Sequence, residues 1–229
     1  MNFDAGTIAV FTLGSFTIID LIAATTNAFN GAILARQPSH YRKFTVVGIL
    51  LLAVFGGIGG GVTRDVLLND IPSALTNAWY LILCTVAGIL ALRLSGQLDQ
   101  ARLARVFDFM SAFSLPWYAA VGANKALEAD LPFLACVLIG VVGPTAGRFL
   151  IDLTSGVTPQ HFVRGEWFVG TAVLTSIVYI VADAGFGLDI WPATLIAFAV
   201  GFTFRVAARR LKWEEPMPVN ANGDPVLSS

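Results

Sequence analysis

The sequence predicts an all-α membrane protein with seven transmembrane helices, and three observations support this prediction. Apolar residues make up 56% of the 229 residues and charged residues 13%, whereas soluble domains average about 45–50% and about 25%. The apolar residues form seven runs, and lysines and arginines collect between alternate runs. The second and fifth runs each contain a helix-breaking stretch followed by an arginine. The seven runs are residues 8–34, 44–68, 78–92, 106–127, 132–153, 167–182 and 190–206.

The third, sixth and seventh runs are shorter than the ~20 residues that a transmembrane helix needs. We expect the side chains at their ends to make up the length. Arg93 and Arg205 can extend their charged ends toward the lipid headgroups, and Trp79, Trp167 and Trp191 are typical of the membrane interface.

The distribution of basic residues predicts the orientation. Seven spans place the loops after the first, third and fifth runs on one side, together with the carboxyl tail. Of the 14 lysines and arginines, Arg64, Lys125 and Arg148 lie within spans, and the other eleven, including Arg205 at the end of the seventh run, lie on this side. The positive-inside rule therefore predicts an amino terminus outside and a carboxyl terminus in the cytoplasm.

The stretch from Gly56 to Asp65 has five glycines in its first six positions. Each glycine costs a helix about 1 kcal/mol relative to alanine, so a break in the second helix is expected. A weaker copy of the stretch predicts a similar break in the fifth helix. The residues expected at the two breaks are Gly59, Gly60, Gly61, Gly143, Pro144 and Gly147. The alternative is that the glycines serve only close helix packing.

The matching interruptions indicate an internal repeat. Asp20 precedes Gly31 by eleven residues, and Ser111 precedes Gly122 by eleven. Because each copy contains three helices, the two copies enter the membrane from opposite sides, which gives inverted repeats. The predicted units are a transmembrane domain over 1–212, with repeats at about 8–94 and 104–183 and a seventh helix at about 190–212, followed by a disordered cytoplasmic tail over 213–229.

Polar side chains inside the runs predict a path for a polar solute, since charges at membrane depth are costly and mark function. The candidate pore or gate residues are Arg64, Arg148, Lys125, Asp20, Asp65, Thr63, Thr145 and Ser111. Structural alternatives exist for most of them. The arginines can bind carbonyls freed by the breaks or pair with Asp65 or Asp152, and Asp20 can be the partner of a buried cation. Lys125 can extend to the outer surface, and Thr145, like Thr25 and Thr26, can bond to its own helix.

Other functions lack a matching pattern. No basic run indicates nucleic-acid binding, and we expect no such partner. No catalytic or cofactor motif is present, so we expect neither an enzyme nor a cofactor. Cys84 and Cys136 lie in apolar runs and are expected to be buried thiols, with no resident metal site.

Two motifs resemble those of a known family. Gly59-Gly60-Gly61 with Arg64-Asp65, and Gly122 to Ala126 in the fourth run, are similar to the prokaryotic trimeric intracellular cation (TRIC) channels and to related small bacterial membrane proteins. In the weaker second copy, Pro144 and Thr145 replace glycines and Phe149 follows the arginine. The resemblance implies a homotrimer in the plasma (inner) membrane of a prokaryote, with one K⁺- and Na⁺-conducting pore in each protomer.

Three functional classes remain open at this point: a monovalent cation channel, a secondary transporter or facilitator of a small polar solute, and a structural protein or intramembrane enzyme. The third has no catalytic pair to support it. The first two share inverted repeats and interrupted helices. Arginines in a path favour anions on simple electrostatics, so a cation path requires that Arg64 and Arg148 be neutralised locally.

Overall fold

The computed structural model describes residues 15–37, 43–159, 165 and 167–216, and all of its regular structure is helical. The eight α-helices are α1 (Ser15–Leu34), α2 (Val46–Leu67), α3 (Ser73–Thr76), α4 (Trp79–Ser95), α5 (Gln100–Glu128), α6 (Phe133–Thr154), α7 (Phe168–Ile180) and α8 (Ile190–Arg210). A π-helical turn, Val181–Gly185, extends α7. The prediction of an all-α fold is confirmed.

Five of the described helices are long and apolar enough to cross a membrane: α1, α2, α6, α7 with its π turn, and α8. Helix α4 is apolar but has only 17 residues. Many large apolar side chains face outward, for example Leu134 at 78% exposure and Val47 at 66%. An aqueous surface would not carry so many, and they fit a lipid environment. The chain is a membrane protein.

The helix boundaries lie close to the predicted ones, with two differences. Helix α5 begins six residues earlier than its apolar run, because Asp99 caps it by accepting a hydrogen bond from the backbone N–H of Arg102 at 2.7 Å. The short helix α3 was not predicted, since its four residues lie between apolar runs. Residues 8–14 of the first run and the tail from 217 onward lie outside the described residues.

The helices pack as two groups of three with one further helix. Helices α1, α2 and α4 pack on one another, and so do α5, α6 and α7. The groups meet where α1 packs on α5 and where α2 packs on α6. Helix α8 packs on α5 and α7. The four helices α1, α2, α5 and α6 therefore enclose the centre of the molecule.

The predicted breaks in the second and fifth transmembrane helices are wrong. Helix α2 runs without interruption through Gly59, Gly60 and Gly61, and α6 runs through Gly143, Pro144 and Gly147. The glycines instead permit close backbone contact, which is the packing alternative. A methyl group on Gly147 would lie 2.9 Å from the carbonyl oxygen of Gly56, and one on Gly60 would collide with the carbonyl of Gly143. Glycine is a poor helix former, but a larger residue at Gly60 or Gly147 would not fit between the crossing helices.

Candidate functional site

The charged centre of the molecule is built around Arg64, whose side chain is 0% exposed. Its Nη1 and Nη2 donate to the two carboxylate oxygens of Asp20, at 3.1 Å each. Its Nε donates to Oδ1 of Asp65 at 2.8 Å. The planar guanidinium thus joins a carboxylate on α1 to one on its own helix, a geometry that an ammonium group does not reproduce.

Three further side chains complete this network. Lys125, from α5, approaches Oδ1 of Asp65 at 2.8 Å and the exposed carboxylate of Asp70 at 3.7 Å. Ser73 donates its backbone N–H and its hydroxyl to Oδ2 of Asp65, at 2.8 and 3.1 Å. The hydroxyl of Tyr80 donates to Oδ2 of Asp20 at 2.7 Å. We define the Arg64 cluster as Asp20, Arg64, Asp65, Ser73, Tyr80 and Lys125.

The buried formal charges of the Arg64 cluster sum to zero. Arg64 and Lys125 supply two positive charges, and Asp20 and Asp65 supply two negative ones. The carboxylates are 2% and 1% exposed and Lys125 is 13% exposed, so water screens these charges little. The local neutralisation of Arg64 that a cation path requires is therefore present. Asp20 is the partner of a buried cation, as the structural alternative predicted.

A second polar group surrounds Arg148 on α6. Its Nε donates to Asp152 at 2.9 Å, and its guanidinium lies 5.0 Å from the ring centre of Phe107. A cavity of about 20 Å³, enough for one water molecule, adjoins it and is lined in part by Asn27, Asn30 and Ser111. Ser114 donates to Asn27 at 3.2 Å. We define the Arg148 cluster as Asn27, Asn30, Ser111, Ser114, Arg148 and Asp152.

The predicted residues thus divide between two clusters. Arg64 and Arg148 pair with carboxylates, and the expectation that they bind carbonyls freed by helix breaks is wrong, because the helices are continuous. The hydroxyl of Thr145 donates to the carbonyl four residues earlier at 2.7 Å, as the back-bonding alternative predicted. Thr63 makes the same kind of bond at 2.8 Å, although that alternative was not considered for it. Ser111 lines the cavity of the Arg148 cluster.

Sequence reasoning missed Tyr80, Ser73 and Tyr118. Tyr118 is 1% exposed, and its hydroxyl donates to the carbonyl oxygen of Gly57. A signal was available for the tyrosines, because a tyrosine within an apolar span needs a partner for its hydroxyl. No such signal existed for Ser73, whose position depends on the unpredicted helix α3. Cys84 and Cys136 are buried free thiols, as predicted.

Comparison with known proteins gives relatives of bacterial origin. The chain is 25% identical over 205 residues to the UPF0126 inner membrane protein YadS of Escherichia coli K12, covering 89% of this chain and 95% of that protein. It is 28% identical over 155 residues to a UPF0126 membrane protein of Deinococcus radiodurans, covering 67% and 69%.

Solved structures of channels have the same fold. A TRIC trimeric intracellular cation channel orthologue from Rhodobacter sphaeroides matches with a TM-score of 0.76 and 25% identity, over 86% of this chain and 98% of that one. A prokaryotic TRIC channel crystallised in 0.5 M KCl matches with a TM-score of 0.77 and 19% identity, over 86% and 97%. The chain is similar to TRIC channels in its fold, as the motifs indicated.

The family profile described as "Glycine transporter" matches residues 17–95 and 108–184, which together make up more than half of the chain. The two stretches contain α2 with the Arg64 cluster's central arginine and α6 with Arg148. By this match the chain belongs to the glycine transporter family.

Proposed function

We propose that the chain is a membrane channel that passes monovalent cations, K⁺ and Na⁺, along a path inside each protomer of a homotrimer. The observation that carries the proposal is the likeness to the Rhodobacter TRIC cation channel, with a TM-score of 0.76 over 98% of its length. Fold alone does not fix function. The charge balance of the interior therefore has to be compatible with cations.

The Arg64 cluster supports that compatibility. A lone arginine in the path would repel a cation, whereas the positive charge of Arg64 is balanced by the carboxylates of Asp20 and Asp65. The Arg148 cluster offers amide and hydroxyl oxygens beside a cavity of about 20 Å³. Oxygen ligands of this kind can replace part of the hydration shell of a cation. Both clusters are made by one chain, which supports a path within each protomer.

The architecture that we propose has seven transmembrane helices in two inverted repeats. Helices α1, α2 and α4 form the first repeat, α5, α6 and α7 the second, and α8 is the seventh span. The family profile matches the corresponding stretches, 17–95 and 108–184. The glycine contacts also correspond: a methyl on Gly31 would lie 2.7 Å from the carbonyl oxygen of Leu52, and one on Gly122 would lie 2.8 Å from that of Ile139.

The orientation follows from the loop charges. The amino terminus lies outside and the carboxyl tail in the cytoplasm, because the positive loops stay inside. This orientation requires the end of α8 to lie on the same side of the membrane as the start of α5, and the end of α5 on the same side as the end of α2. Two ion pairs support this arrangement. Arg209, near the end of α8, is paired with Asp108 near the start of α5 at 2.5 Å. Lys125, near the end of α5, lies close to Asp70 after α2.

A second candidate is transport of a small zwitterion such as glycine, and the family match favours it. The Arg64 cluster contains equal numbers of positive and negative charges, two of each. A zwitterion carries one group of each sign, so its carboxylate and ammonium could exchange partners with the cluster without changing its net charge. This candidate needs a path that opens alternately to the two sides.

Recording from purified protein in lipid bilayers separates the candidates. For the channel we expect unitary currents and, in a KCl gradient, a reversal potential close to that of K⁺. Uptake of labelled glycine into liposomes without unitary currents would instead establish the second candidate. A current selective for chloride would contradict the cation channel, and protein-free membranes provide the baseline.

A further inference from the structure

The two polar clusters are separated along the axis of the molecule. On α5, Ser111 belongs to the Arg148 cluster and Lys125 to the Arg64 cluster, and Tyr118 lies seven residues from each. Seven residues are two helical turns, a rise of about 10 Å, so the three side chains follow one face of the helix. Tyr118 therefore occupies the level midway between the clusters.

At that level the helices pack closely. A methyl group on Gly57 would lie 2.9 Å from the carbonyl oxygen of Ala24 on α1 and 2.6 Å from the sulfur of Cys84 on α4. A methyl group on Gly143 of α6 would lie 3.5 Å from Cδ1 of Tyr118. The Tyr118 ring thus lies between Gly143 of α6 and Gly57 of α2, the glycine that its hydroxyl reaches.

The hydroxyl of Tyr118 is fixed as well as its ring. It donates to the carbonyl oxygen of Gly57 on α2, and the side chain is 1% exposed. This bond joins the two groups of three helices at the level where neither polar cluster reaches. No charged side chain takes part in this bond, which joins a tyrosine hydroxyl to a backbone carbonyl.

We propose that Tyr118 is the barrier between the two polar clusters and that its bond to Gly57 holds the barrier closed. This inference rests on the proposed function, because it assigns a role within the same path. In the structure the barrier is closed. Passage of a solute from the Arg64 cluster to the Arg148 cluster requires the ring to leave the crossing.

The first readout measures how fast Ag⁺, a monovalent cation, reaches a cysteine in the Arg148 cluster, and it requires no flux across the membrane. The protein for this experiment carries Ser111→Cys in a background in which Cys84 and Cys136 are replaced by alanine. It is incorporated into liposomes, and Ag⁺ is then added on the side where Asp130 lies. We expect slow modification with Tyr118 present, because the barrier is closed most of the time, and much faster modification with Tyr118→Ala. Equal rates of modification in the two proteins would overturn the inference. So would the absence of modification in detergent, because the Arg148 cluster would then not reach water.

Flux measurements provide a second test with a milder variant. Tyr118→Phe keeps the ring and removes only the hydroxyl, so it avoids the cavity that Tyr118→Ala creates. Loss of one hydrogen bond should raise the open fraction, and with it the flux, about two- to tenfold. The matched control is Tyr179→Phe, which removes another buried tyrosine hydroxyl, bonded to Asn124 at 2.5 Å, and should leave flux unchanged.

The outcomes separate this inference from the proposed function. A wild type that passes neither cations nor glycine contradicts the proposed function, and the Ag⁺ experiment still decides whether Tyr118 is the barrier. A wild type that conducts, together with a Tyr118→Phe variant of unchanged flux, contradicts the role of the hydroxyl bond.

Discussion

Arg64 holds a positive charge at a position with 0% side-chain exposure, and Asp20 and Asp65 hold it in place. Desolvation of such charges is costly, and their mutual attraction offsets the cost only when every partner is present. Pairing of this kind was the structural alternative to a pore role. The two roles are compatible, because a neutralised arginine can line a path without repelling cations.

Removing Arg64 should destabilise the protein. Arg64→Ala takes from Asp20 the cation that it pairs with and leaves Asp65 paired with Lys125. We expect a loss of about 3–5 kcal/mol in the free energy of unfolding. Arg102→Ala is the matched control, because Arg102 is 64% exposed and its ion pair with Asp99 lies on the surface. Unfolding in detergent measures both variants, and equal stability would contradict the role of the network. Asp20→Ala combined with Arg64→Ala should recover part of the loss.

Arg64→Lys tests the geometry of the pair rather than its charge. The guanidinium donates three bonds to two carboxylates, at 3.1, 3.1 and 2.8 Å. An ammonium group cannot reproduce this planar arrangement. We expect altered conductance or open probability in bilayers, with preference for K⁺ over Cl⁻ retained. If the currents of Arg64→Lys are indistinguishable from those of the wild type, the planar geometry of Arg64 has no effect on conduction, and its role is structural.

At the scale of helices, the close crossing of α2 and α6 explains why the predicted helix breaks are absent. Intrinsic propensity predicts that dense glycines interrupt a helix, but both helices are continuous. Tertiary contact explains the difference, since the glycines allow backbone to pack on backbone. Sequence alone gave helix positions within a few residues, because apolar periodicity and caps are local. Which helix faces which, and hence the need for glycine, depends on contacts distant in sequence.

Two neighbouring glycines provide a direct test of this crossing. A methyl group on Gly60 would collide with the carbonyl of Gly143, whereas one on Gly61 would meet only the Arg64 side chain, at 3.7 Å. We expect Gly60→Ala to lower the free energy of unfolding by about 1–3 kcal/mol through overpacking. Gly61→Ala should be neutral or slightly stabilising, since alanine is the better helix former by about 1 kcal/mol. If both variants were equally stable, the crossing would be more adaptable than the structure indicates.

At the scale of the whole molecule, folding brings together candidate residues that are far apart in the sequence. Asp20 and Arg64 are 44 positions apart, and Lys125 and Asp65 are 60 apart. Their selection from the sequence rested on one physical fact, the cost of charge at membrane depth. Their partners could not be selected in this way. Each bond depends on how α1, α2 and α5 pack, and the local pattern contains no information about that packing.

The orientation of the whole molecule can be tested with single cysteines in a background lacking Cys84 and Cys136. Because basic loops remain in the cytoplasm, a cysteine at Gln97 should be protected from an impermeant reagent added outside. Cysteines at Asp130 and Gly187 should react. Lysed cells, in which all three sites are accessible, are the control. The reverse pattern would contradict both the orientation and the inverted repeat.

Assembly is a separate prediction at this scale. If the chain forms a homotrimer, crosslinking and native mass spectrometry in detergent should give three copies per particle. The outward apolar side chains, such as Leu134 at 78% exposure, provide surface for contact between protomers as well as with lipid. A monomer that conducts would disprove the assembly while leaving the path within one protomer intact.

The zero net charge of the Arg64 cluster has a consequence for the response to membrane potential. One elementary charge that crosses a potential of 100 mV gains or loses about 2.3 kcal/mol. The two cations and two carboxylates of the cluster, moving together, transfer no net charge across the field. A rearrangement of the whole cluster is therefore insensitive to voltage. Lys125→Met would leave one uncompensated carboxylate, so the open probability of that variant should change with voltage.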